Sequence, residues 1–107
     1  ANYELTEIDF RFLGACLESH TANPSGLGFY RIYNSLRGVS EALVQIAAIK
    51  LERMGLLSKT IETDEQDGYD YYAYAITEIG IDAVLKNEHV FHPKAPVAPA
   101  GFDDVDF

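Results

Sequence analysis

The chain has no tryptophan, one cysteine, one methionine and four prolines among its 107 residues. A single cysteine, Cys16, excludes an internal disulfide, and its place in an apolar helical stretch reads as a small buried hydrophobe. A reduced, intracellular (cytoplasmic) setting is the expectation that follows. No apolar run approaches roughly 18 residues and no basic–apolar–small leader opens the sequence, so neither a membrane span nor export is expected. Basic residues are scarce: 8 Lys and Arg stand against 17 Asp and Glu, a net charge of −9. That balance works against non-specific attraction to DNA or anionic membrane. Chemistry-bearing patterns are equally thin. His89 and His92 lie three apart with no third ligand in sight, and "GLG" at 26–28 is too short for a phosphate loop and lacks a following Lys. Cys16 and His20 share helical i, i+4 spacing, in surroundings that favour an inert thiol. The expectation is no enzyme, no metal, no cofactor and no small-molecule substrate.

What is present suits one small domain with a single core, since 48% of residues are hydrophobic and 23% charged. Charge is unevenly spread. Between Arg31 and Lys59, five bases (Arg31, Arg37, Lys50, Arg53, Lys59) face Glu41 and Glu52, a local +3 that leaves −12 elsewhere.

Periodicity predicts a first helix over about Thr6–Ser19, with Thr6 and Asp9 at capping-box spacing. "HTANPSGLG" reads as a turn-rich loop. A second helix, "FYRIYNSLR", turns Phe29, Ile32, Tyr33 and Leu36 to one side; Ser40 caps a third running to Met54, which Gly55 stops in the left-handed conformation. Two alternating segments, "LLSKTIETD" and "YDYYAYAIT", flank an Asp67-Gly68 turn. Leu57, Ile61, Tyr72, Tyr74 and Ile76 are expected on one core-facing side of that hairpin. Thr77 caps a closing helix with Ile79, Ala83 and either Leu85 or Val84 inward. From His89 onward, "HPKAPVAPAG" reads as an extended linker and "FDDVDF" as an acidic, aromatic tip, so the domain is placed at 1–88 and the tail at 89–107.

Ser40, Val44, Ala48, Leu51, Gly55 and Leu56, with "LERMGLL" and "YAITEIG", carry a likeness over about 29–86. The pattern resembles the winged helix-turn-helix domains of bacterial and phage regulators. The resemblance implies an α+β fold: a three-helix core, a two-stranded β-hairpin wing and a closing C-terminal helix. It also implies that the third helix would read DNA, in a dimer, with Arg31, Arg37, Gln45, Lys50, Arg53 and Lys59 facing bases and phosphates.

The residues themselves argue otherwise. With Val44, Ala47, Ala48 and Leu51 inward, the outer face of the third helix offers only Gln45 for bidentate readout of a base edge. Leu43, Ile46 and Ile49 form an apolar seam at i, i+3 and i+6. Exposed, such a seam marks a contact surface; the alternative is that another segment of the chain covers it. The hairpin tip carries Glu62, Asp64, Glu65, Asp67 and Asp70, which would repel phosphate; solvation of an exposed tip suffices to explain them, and a basic partner surface is the less favoured functional alternative. Tyr69, Tyr71, Tyr72 and Tyr74 could stack bases, but with no interleaved base a structural use on strands fits better. "GFDDVDF" resembles the acidic, Phe-terminated tail of bacterial single-stranded DNA-binding proteins, which implies Phe102 and Phe107 as anchors on a protein; a solvated tail is the plainer reading. The sequence thus points to a regulator of transcription or replication. Its main contacts are with a protein partner or a second copy, through Leu43, Ile46, Ile49, Phe102 and Phe107. A dimeric DNA-binding regulator stands as the alternative.

Overall fold

A computed structural model of the chain describes residues 4–91. The elements follow as α1 (Glu7–Glu18), β1 (Leu27–Gly28), α2 (Phe29–Ser35), α3 (Glu41–Arg53), β2 (Leu57–Thr63), β3 (Asp70–Ile76), α4 (Glu78–Lys86) and a last single turn, α5 (Glu88–Phe91). The architecture is α+β: helices packed on one three-stranded antiparallel sheet of order β1-β3-β2.

Helices α1, α3 and α4 each start at a side-chain cap. Thr6 accepts from the Asp9 amide while Asp9 accepts from the Thr6 amide, which satisfies two orphan donors of α1 reciprocally. Ser40 and Thr77 do the same for one amide each, at Leu43 and Gly80. Phe12, Leu13, Ile32, Val44 and Leu51 lose all contact with solvent and form the centre of the core; Phe12 meets Tyr74 of the sheet edge-on at 5.7 Å between centroids. Burying each of these side chains stabilises the fold by about 1.5–3 kcal/mol before entropy is counted.

One junction holds the second half together. Gly55 ends α3 at φ +80, and the following carbonyl of Leu56 accepts from the Thr77 amide at 3.0 Å. Thr77 Oγ1 donates to the Gly55 carbonyl at 2.6 Å and accepts from Gly80 N at 3.0 Å. A Cβ on Gly80 would overlap the Leu56 carbonyl oxygen, so only glycine lets α4 approach this closely. The "MGLL" and "ITEIG" stretches, whose bonded Gly55 and Thr77 lie 22 positions apart, therefore interlock atom to atom.

Four expectations need correction. The segment read as all loop contains β1, which adds a third strand to the anticipated hairpin. Alternation keeps Ile61 and Tyr72 on the face of Leu57, Tyr74 and Ile76, but toward the hairpin tip that face is not covered, and they are 63% and 48% exposed. On α4 Val84 is buried and Ala83 packs against the core as expected, but Ile79 is exposed with Leu85, and Gly80 and Ile81 face inward instead. Helix α5 carries regular structure to Phe91, beyond the 88/89 boundary expected for the linker.

Candidate functional site

Helix α3 is held from below by Val44, Ala47, Ala48 and Leu51, which pack against α1 and β2. That packing fixes the rotation of the helix. At 100° per residue the interleaved Leu43, Ile46 and Ile49 then face outward, and they are 47, 56 and 44% exposed. No described segment covers them. Gln45 and Arg53 flank this seam in solvent. At its N-terminal end Tyr30 donates a 2.8 Å hydrogen bond to Glu41, tying α2 to α3. That bond and the Glu41 charge push the Tyr30 phenol above its ordinary pKa.

The six side chains expected to face DNA divide sharply. Lys50 is withdrawn: its ammonium pairs with Asp9 at 2.5 Å and donates to the Glu4 carbonyl at 3.1 Å, the two side chains being 18% and 2% exposed. Asp9 is buried, so Lys50 supplies the counter-charge that burial demands and is not available to phosphate. Lys59 lies 3.7 Å from Glu52 and 4.6 Å above the Tyr72 ring, a partly engaged cation on the wing. Arg31, Arg37, Arg53 and Gln45 stand in solvent without an ion pair among the described residues. Phe102 and Phe107 lie outside the described residues.

The wing carboxylates do more than stay solvated. Asp64 Oδ1 accepts from the Gln66 and Asp67 amides at 2.7 and 3.4 Å, Asp67 Oδ1 from the Tyr69 amide at 3.0 Å, and Asp70 Oδ1 from the Thr63 hydroxyl at 2.7 Å. These bonds shape the turn, as short acidic side chains do. Between wing, β1 and the start of α2 lies an open concavity of about 830 Å³ that reaches Gln45 of α3. Sequence reasoning missed it because one wall is the 23–31 segment, which the unrecognised pairing of β1 with β3 brings beside the wing. Cys16 is buried, which pushes its thiol up to about 12, and it is chemically quiet at neutral pH. Among the described residues no group of three or more His, Cys, Asp or Glu is placed to hold a metal ion, and no helix is long and apolar enough to cross a membrane.

Fold and site together define a small α+β domain that presents an aliphatic helix face beside an acidic hairpin. No family model, curated protein or solved structure matches the chain.

Proposed function

We propose that the chain is a non-enzymatic winged-helix regulator of a nucleic-acid process, transcription or replication, that acts through protein contacts of the outer α3 face. Helix, short strand, two helices, hairpin and closing helix follow in the order of winged-helix domains, and the Gly55–Leu56/Thr77–Gly80 junction gives the two matching sequence blocks a shared packing role. The observation that carries the reading is the seam: three aliphatic side chains about half exposed on the helix that would otherwise read bases. At about 25 cal/mol per Å² of apolar area, covering it supplies a few kcal/mol before association costs. The test is capture of partners and self-association with wild type and Ile46→Asp side by side. The variant is expected to keep its circular dichroism and lose its complexes. Unchanged complexes would sink the reading.

Arg31, Arg37 and Arg53, exposed and without an ion pair among the described residues, favour a second reading, a dimeric DNA-binding regulator. It requires duplex DNA binding that weakens with salt and is lost in Arg31→Glu plus Arg53→Glu.

A further inference from the structure

The β2–β3 ladder alternates, and its phase is fixed by two bonds, Asp64 N to Tyr69 O and Thr77 N to Leu56 O. Odd-numbered residues of β3 therefore bond to β2, and the amides and carbonyls of Asp70, Tyr72, Tyr74 and Ile76 point to the opposite edge. On that edge β1 pairs only with Tyr74 and Ala73 before the chain turns away at Phe29 into α2. The edge at Asp70 and Tyr72 is left open, and the 830 Å³ concavity lies directly alongside it. An extended segment entering there would continue the line of β1, antiparallel to β3.

Charge selects the occupant. The concavity is walled by Asp64, Asp67 and Asp70, none of which forms an ion pair among the described residues, and Arg31 is the one described base that lines it. Each of the three spends Oδ1 on the hairpin and leaves Oδ2 without a bond among the described residues. Exposed rings of Tyr30, Tyr69 and Tyr71 add flat surfaces that suit guanidinium and ammonium groups. Phosphate-bearing ligands are repelled by the same wall.

We propose that the open β3 edge at Asp70–Tyr72 is a strand-addition site for an extended, Arg- or Lys-bearing segment of a partner protein. Main-chain bonds to β3 hold the segment, and its basic side chains meet the wing carboxylates. The site does not depend on the α3 seam.

The test titrates the full chain into fluorescein-labelled octapeptides: alternating Arg-Val, alternating Glu-Val and alternating Arg-Pro. Saturable binding is expected for Arg-Val and none for Glu-Val. Arg-Pro, which keeps the charge but lacks alternate amide donors, should bind about tenfold more weakly or less. Asp67→Asn with Asp70→Asn keeps the oxygens the hairpin uses and should weaken Arg-Val binding about fivefold; Ile46→Asp should leave it unchanged. If the double Asn variant unfolds, the rank order of the three peptides on wild type decides. No saturable Arg-Val binding, or equal binding of Glu-Val, overturns the proposal. Equal binding of Arg-Pro reduces the surface to charge alone and overturns strand addition. Loss of binding in Ile46→Asp would relocate the peptide to α3, and displacement by a (dT)12 oligonucleotide would reassign the groove to nucleic acid; either result overturns the proposal.

Discussion

Lys50 and Asp9 stand 41 positions apart, on α3 and α1, and form a largely buried ion pair. Asp9 was legible as a capping residue because capping is a local rule with a fixed spacing. Its ion pair was not, since nothing in one sequence announces which distant cation a buried carboxylate will take. Lys50 consequently read as a phosphate contact when it is an internal counter-ion. Lys50→Ala, which strands Asp9 in the core, is expected to cost about 3 kcal/mol in urea unfolding. Removing Arg53, in solvent on the same helix, should cost less than about 0.5 kcal/mol. Cys16 allows a second test. Burial pushes its thiol from an ordinary 9.0 up to about 12, so folding favours the protonated form. The stability that this contributes is intact below pH 9 and drains away as pH rises through the folded value. Between pH 9 and 12 wild type should lose stability more steeply than Cys16→Ala, a difference readable from unfolding midpoints at each pH.

Helix starts, the α3 stop and the hairpin were readable because caps, Gly55 and the Asp67-Gly68 turn are chemical signals confined to a few residues. Strand β1 was not, since two residues are too few to show alternation. On α4 Ala83 and Val84 were placed correctly, but Ile79 was not, and Leu85 could not be told from Val84. Gly80, which sets the close face against Leu56, carries no hydrophobic signal, so Ile79 and Leu85 looked like core. The interlock makes a direct prediction. Gly80→Ala forces a methyl onto the Leu56 carbonyl and should destabilise by about 3 kcal/mol or prevent folding, despite alanine's better helix propensity. Thr77→Ala, losing a cap and the bond to Gly55, should cost about 1–2 kcal/mol. Thermal unfolding of both variants checks the order. If Gly80→Ala proves stabilising, as it would on an ordinary helix, the interlock is wrong.

At the level of the molecule, an acidic chain of net charge −9 carries a greasy helix face. Net charge opposes non-specific clustering, so whatever the seam meets must fit it. If copies of the chain meet there, their association should depend on concentration and hold or strengthen from 50 to 500 mM salt, because aliphatic burial is not screened while the repulsion between two chains of net charge −9 is. Sedimentation at several concentrations reads this out. A steep loss with salt would instead point to the arginines. The outward turn of the seam was legible once Val44, Ala47, Ala48 and Leu51 were assigned inward. The groove beside the wing was not, because it is made by three segments whose meeting no local pattern encodes.

One feature of α3 reaches further. Four of its side chains are locked into the interior and a fifth is clamped by a buried acid. The helix therefore arrives at any encounter already ordered, with little backbone freedom left to surrender. A partner meeting it would gain nearly the full benefit of contact, and evolution of that contact would show in how long complexes last more than in how fast they form.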